Sequence, residues 1–174
     1  LPTLNFLIKQ KRKIIILSHV GRPKGKIVKA LSLKPIGEDL KKKLNVDVKL
    51  ITENIYGIKN KVFFEKFTEK VLILENIRFY PEEEKNEEKF VKKLSSFADI
   101  FINECFSCSH RAHASISGVP KFLPSFPGKL LENEILNLKN LFLVKNENEG
   151  VAIFGGSKIS TKIKLIEFYA KKFS

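Results

Sequence analysis

The sequence predicts an α/β protein built on a doubly wound parallel sheet. Short continuous runs of β-branched and other apolar residues recur along the chain, and amphipathic helical patterns separate them. Glycine-, arginine- and histidine-bearing segments follow those runs directly, which is where ligands bind in open α/β sheets.

The opening residues read as an amphipathic helix with Leu4, Leu7 and Ile8 on one face. Residues 14–17 (Ile-Ile-Ile-Leu) form the first strand candidate. Residues 46–50, 71–74, 100–102 and 151–154 supply four more. Such runs suit strands covered on both faces, as parallel sheets require. Between the first two, Ser32 is placed to cap a helix that carries Pro35 in its first turn and runs through Ile36, Leu40 and Leu44. Residues 87–98 align Phe90, Val91, Leu94 and Phe97 along one stripe. Residues 130–143 repeat the pattern with Leu131, Ile135, Leu138 and Leu141, and residues 159–173 form the last helix. The polar segment 145–150 reads as a loop or linker.

Composition narrows the function classes. Hydrophobic residues make up 43% of the chain, enough for a globular core. No apolar run approaches the ~18 residues of a membrane span, and no secretory leader is visible, so a cytoplasmic location is expected. The chain contains no Met, which suggests that it begins inside a longer sequence. The net charge is +13, supplied mostly by scattered lysines. No aromatic residues interleave with them as a base-stacking platform requires, so the excess reads as a solvated surface and not a nucleic-acid site.

The segments after the strands carry the chemistry. After the first come Ser18, His19, Val20, Gly21 and Arg22, where Gly21 permits a tight turn and Arg22 offers a fork suited to phosphate or carboxylate. After the third come Glu75, Asn76, Ile77, Arg78 and Phe79. The bland alternative for Arg78 is an ion pair with Glu75 or with the run Glu82, Glu83, Glu84. After the fourth come Cys105, Cys108, His110, Arg111 and His113. Three arginines and two or three histidines on one cleft suit a small, highly anionic ligand. No carboxylate base for proton abstraction is evident there. Cys105, Cys108, His110 and His113 are also four potential zinc ligands, but they crowd into nine residues, a poor spacing for a tetrahedral site. A redox role for Cys-x-x-Cys is a further alternative, and two incidental cysteines of a reducing compartment are the preferred reading. After the last strand, Gly155 and Gly156 let backbone amides approach a phosphate near a helix N-terminus, with Lys158 and Lys162 four residues apart on one face.

In order along nearly the whole chain, the stretches LSHVGRPKG, SLKPIGEDL, LENIRFYPEEEKN, FINECFSCSHRAHASISGVPKFLPSFPGKLLENEI and VAIFGGSKISTKI resemble the phosphoglycerate kinase family. The resemblance implies a Rossmann-like fold with a first domain nearly complete and a second only begun. It implies that 1–129 is a 3-phosphoglycerate-binding domain lacking its first strand, 130–145 an interdomain helix, and 146–174 the start of a nucleotide-binding domain. By the same resemblance, His19, Val20, Gly21, Arg22, Arg78, His110, Arg111 and His113 contact the acid substrate. Gly155, Gly156, Lys158 and Lys162 serve the nucleotide phosphates, and Lys158 with Arg22 assists the phosphoryl group in transit.

The implied reaction is reversible phosphoryl transfer between 1,3-bisphosphoglycerate and ADP, giving 3-phosphoglycerate and ATP in glycolysis. Mg2+ arrives with ATP or ADP, and no protein-bound metal, nucleic acid or membrane partner is expected. The full-length form is expected to be monomeric. The chain departs from the family pattern at Glu104, Cys105 and Ser107, where the family often shows Asp, Ala and Gly. The family's first strand, which brings an Asp, an Asn and an Arg to the substrate site, is absent, so an unpaired sheet edge is expected. The chain alone is therefore expected to be inactive as a kinase, the alternative being a repurposed anion-binding module.

Overall fold

The structure, a computed structural model, describes residues 1–142, 153–155, 160 and 162–172. The chain divides into two compact units, Leu1–Asn133 and Glu134–Ser174.

Within the first unit, β1 (Ile14–Ile16), β2 (Val48–Ile51) and β3 (Val71–Leu74) form a parallel sheet in the order β1-β3-β2. Ile14 and Val48 both lie against Val71. The central β3 is buried at all four positions, which its uninterrupted Val-Leu-Ile-Leu run predicts. A second parallel pair consists of β4 (Phe101–Asn103) and β5 (Ser125–Pro127). Among the described residues β1 has no ladder partner beyond β3, and β4 has none beyond β5. An apolar cavity of about 80 Å³ lies between them, lined by Ile15, Leu17, Phe101 and Ile102 among others. Among the described residues β1 and β4 are therefore edges of two separate sheets.

The helices follow the sequence patterns with small shifts. In α1 (Pro2–Lys9), Leu4, Leu7 and Ile8 are half-buried while Phe6 is half exposed. α2 (Lys34–Leu44) ends on Asn45 in the left-handed region, an ordinary helix stop. Its N-cap is Leu33 and not Ser32. The reason is Glu75: its carboxylate accepts the Ser32 hydroxyl at 2.7 Å and the Leu33 N–H at 2.8 Å. Ser32 is drawn towards β3, although its Oγ still accepts the Lys34 N–H at 3.2 Å.

Short helices α3 (Val62–Glu65) and α4 (Pro81–Lys85) precede α5 (Glu88–Ser95), which buries Phe90, Val91 and Leu94 on one face. These join Ile51, Ile55, Phe64, Leu72, Leu74 and Phe97 in the main core. α6 (Lys129–Phe142) starts on two borrowed acceptors. Thr3 Oγ1 accepts the Lys129 N–H at 2.8 Å, and Glu104 Oε2 accepts the Leu130 N–H at 3.1 Å. Helix N-termini leave such donors unpaired, so Glu104 here acts as a helix cap.

In the second unit α7 spans Ile163–Lys172. Ile153 and Phe154 belong to no strand, and residues 143, 145–152, 159 and 173, on which the last strand, linker and helix ends were expected, lie outside the described residues. None of the described helices is long and apolar enough to cross a membrane.

One close approach fixes the segment behind the site. Residues Ala114–Gly118 form a single π-turn, with the Ser117 N–H donating to the His113 carbonyl at 2.9 Å and the Gly118 N–H to the same oxygen at 3.4 Å. A Cβ at Gly118 would stand 2.4 Å from Val91 Cγ2 and 2.5 Å from Asn86 Oδ1. Gly118→Ala is therefore expected to destabilise the fold by roughly 1–3 kcal/mol, the usual cost of overpacking, measured as a lower urea midpoint.

Candidate functional site

Three loops that follow β1, β3 and β4 bring the cationic side chains together. The β1 loop turns at Gly21, whose φ of +67° suits glycine and whose missing Cβ leaves room for Leu31 at 2.7 Å. Asn76 ties this loop to the β3 end: its amide donates to the carbonyls of Val20 at 2.9 Å and Leu31 at 2.8 Å. Asn76 also caps the 3-10 turn Ile77–Phe79, accepting the Arg78 N–H at 3.1 Å. Arg78 is thereby held by its backbone, and its side chain is only 5% exposed. Its Nη1 approaches the Gly21 carbonyl at 3.5 Å, and its Nε lies 3.7 Å from Glu84 Oε1.

The β4 loop supplies the other side. Arg111 is half-buried, and its Nε is buried with no hydrogen-bond partner. A desolvated guanidinium donor without an acceptor is costly, and an anion would satisfy it. His113 lies at the start of the π-turn, with its Nδ1 3.9 Å from Glu83 Oε1. Glu83 is buried and accepts both the Ser115 hydroxyl and the Ser115 N–H, the latter at 3.0 Å. Burial, only partly offset by those bonds and by Arg78, pushes the Glu83 carboxyl above its ordinary pKa.

Burial lowers the His19 pKa, and the charges of Arg78, Arg111 and His113 lower it further. Burial likewise lowers the His113 pKa, helped by Arg78, Arg111 and His110 against the opposing Glu84. His19, Arg78, Arg111 and His113 thus form one field, with His110 exposed beside it. Val20, Gly21 and Arg22 are exposed on the β1 loop. Among the described residues Arg22 makes no hydrogen bond or ion pair.

The neutral forms of His19 and His113 are favoured by folding, so the unfolded chain binds protons more readily. Their contribution to stability is present above pH 6.5 and is lost as pH falls through their lowered folded values. The urea midpoint of wild type is expected to fall relative to that of a His19→Gln/His113→Gln variant as pH falls below 6.5. A constant difference would show that neither group is coupled to folding.

Sequence reasoning missed the burial of Glu83. Glu83 looked like part of a surface acidic run, and only the contact with Ser115 reveals its burial. Two carboxylates lie against the cationic cluster: Glu83 faces His113 and Glu84 pairs with Arg78. The ion-pair alternative for Arg78 is met by Glu84, while Glu75 organises Ser32, Leu33 and Asn76 instead. Among the described residues no three His, Cys, Asp or Glu side chains are grouped as a metal would need.

In the second unit, the Lys162 ammonium donates to the Gly155 carbonyl. Gly156 and Lys158 lie outside the described residues. A larger cavity of about 550 Å³ opens in the first unit beside Gly25, Lys29, Tyr56, Glu75 and Glu82, but no predicted site residue lines it.

The family model described as phosphoglycerate kinase matches residues 1–174. The chain belongs to the phosphoglycerate kinase family. Phosphoglycerate kinase of Wolbachia sp. subsp. Brugia malayi is 45% identical over 173 residues, covering 99% of this chain and 43% of the relative. That of Orientia tsutsugamushi strain Ikeda is 43% identical over 166 residues, covering 95% and 41%. Among solved structures, phosphoglycerate kinase from Coxiella burnetii matches with a TM-score of 0.79 at 37% identity, over 95% of this chain and 41% of that one. The Pyrococcus horikoshii phosphoglycerate kinase matches with a TM-score of 0.84 at 28% identity, over 99% and 44%. The chain therefore spans less than half the length of these phosphoglycerate kinases.

Proposed function

We propose that this chain is the acid-binding part of a phosphoglycerate kinase, which transfers a phosphoryl group reversibly between 1,3-bisphosphoglycerate and ADP to give 3-phosphoglycerate and ATP. The observation that carries the reading is the convergence of Arg78, Arg111, His19 and His113, with a buried Arg111 donor left open. In this reading those four groups hold the acid, with Val20, Gly21, Arg22 and His110 at the same loops. Phosphoryl transfer depends chiefly on positioning and charge stabilisation, so cations fixed by backbone hydrogen bonds suit it. Asn76 acts as a positioning residue, because it locks both the Arg78 turn and the Gly21 loop.

Residues 1–129 are read as the acid-binding domain, 130–145 as the interdomain helix and 146–174 as the start of the nucleotide domain. Gly155, Gly156, Lys158 and Lys162 would meet the nucleotide, which brings Mg2+ with it as substrate. Lys158 and Arg22 would stabilise the group in flight. A cytoplasmic monomer is the expected whole form.

The 174 residues by themselves are proposed to bind the acid without completing the transfer. Calorimetric titration with 3-phosphoglycerate is expected to show binding that weakens ~10- to 100-fold in Arg111→Ala, the cost of losing charge-assisted hydrogen bonds. A coupled assay is expected to show no ATP formation. Equal titration curves for the two chains would overturn the binding site, and robust turnover would overturn the inactivity.

A further inference from the structure

The loop that carries Arg111 also holds both cysteines of the chain, Cys105 and Cys108. Asn103 Oδ1 accepts the Cys105 N–H at 2.9 Å, just as the chain leaves β4. The Cys108 N–H then donates to the Cys105 carbonyl at 3.2 Å, closing a 3-10 turn over Phe106–Cys108. A turn closed in this way brings the first and fourth Cα atoms within about 7 Å of each other. That spacing overlaps the ~4.4–6.8 Å range of disulfide-linked Cα pairs. Cys105 Sγ lies 3.4 Å from Ser107 Oγ in the same turn, and both thiols are partly exposed. No third ligand joins them among the described residues, so the grouping lacks what a metal needs.

The two sulfurs are also unequal. Burial pushes the Cys105 thiol up, but hydrogen bonds from Ser107 and Cys108, with the charge of Arg111, outweigh it and the net shift is down. Cys108 is shifted up by its hydrogen bond to Cys105 and by burial. The thiol shifted down is the readier nucleophile of the two.

We propose that Cys105 and Cys108 form a reversible disulfide in the loop that carries Arg111. A low-molecular-weight disulfide serves as oxidant. The Cys105 thiolate attacks one of its sulfurs, forming a mixed disulfide and releasing one thiolate. Cys108 gives its proton to solvent and attacks Cys105 Sγ, expelling the second thiolate. Two protein thiols are oxidised by two electrons, and one small disulfide is reduced to two thiols. The bond would tie together two ends of the loop that already anchor the site: the Cys108 carbonyl accepts the Arg111 N–H at 2.9 Å, and the Cys105 carbonyl accepts the Ser109 hydroxyl at 3.0 Å.

The test uses the whole chain treated with oxidised glutathione, followed by alkylation of free thiols and intact mass measurement. Wild type is expected to lose two hydrogens, with no glutathione retained and no alkylation, and to recover both thiols after dithiothreitol. Cys108→Ser is expected to retain a glutathione adduct on Cys105, because the resolving thiol is gone. Closure in the native chain is expected to outpace closure in concentrated urea. Two alkylated thiols after oxidation, a retained adduct in wild type, a crosslink between chains only, no adduct on Cys105 in Cys108→Ser, or equal closure rates in native and denatured chains would each overturn the proposal.

Discussion

Phe90→Ala is expected to lower the free energy of unfolding by about 3–5 kcal/mol, the range measured when a buried aromatic is truncated. Phe90 has no exposed surface and sits on the inner face of α5. Its ring lies 5.4 Å from that of Tyr80 and 6.0 Å from that of Tyr56. Tyr80 in turn accepts the Ile55 N–H through its hydroxyl at 3.0 Å. Removing Phe90 therefore opens a cavity and also loosens the segment that joins the β3 loop to α4. The surroundings cannot collapse easily, because Val91 is already pressed against Gly118. Urea denaturation followed by circular dichroism measures the loss. Phe90→Leu, which keeps most of the volume, should recover more than half of it, and a midpoint shift for Phe90→Ala no larger than that for an exposed Phe6→Ala would contradict the packing argument.

The parts of the fold readable in the sequence are those whose signal is local. The run at β3 stands out because all four residues are buried, so no polar alternation dilutes it. The stripe of Phe90, Val91, Leu94 and Phe97 is readable for the same reason at helical spacing. β5 was not readable: Ser125, Phe126 and Pro127 have no apolar run and are exposed, and they are a strand only because they pair with β4. The start of α2 was off by one position because Ser32 answers to Glu75, a residue far away in sequence. The site divides in the same way. His19, Arg78, Arg111 and His113 were readable because cations after strands mark a sheet's ligand edge. Glu83 was not, since a carboxylate in an acidic run looks solvated until Ser115 is packed on it. Glu104 as a cap for α6 was equally hidden, because its partner, the Leu130 N–H, comes from another element.

Arg78→Met should separate the charge of the site from its fold. Methionine keeps an apolar stem in the buried slot and removes the guanidinium, while Glu84, its partner, is exposed enough to be solvated alone. Affinity for 3-phosphoglycerate is expected to fall ~10- to 100-fold, since charge-assisted hydrogen bonds contribute about 1.5–3 kcal/mol each. A second readout is independent of the ligand. The positive charge of Arg78 is one of the causes that hold the pKa of His19 and His113 down. Its loss should move both titrations upward, towards the ordinary histidine value, with burial still keeping them below it. The chain has three histidines, so an NMR titration of the imidazole protons is simple to resolve. A purely structural role for Arg78 predicts weaker folding with unchanged histidine titrations. An electrostatic role predicts the reverse, and it links the two effects: sulfate, which does not titrate near neutrality, should bind wild type more tightly as pH falls and His19 and His113 gain charge. That pH dependence should shift to higher pH in Arg78→Met along with the two histidines. If the titrations stay in place while affinity drops, Arg78 does not share one field with the histidines and the site is not the single cluster its geometry indicates.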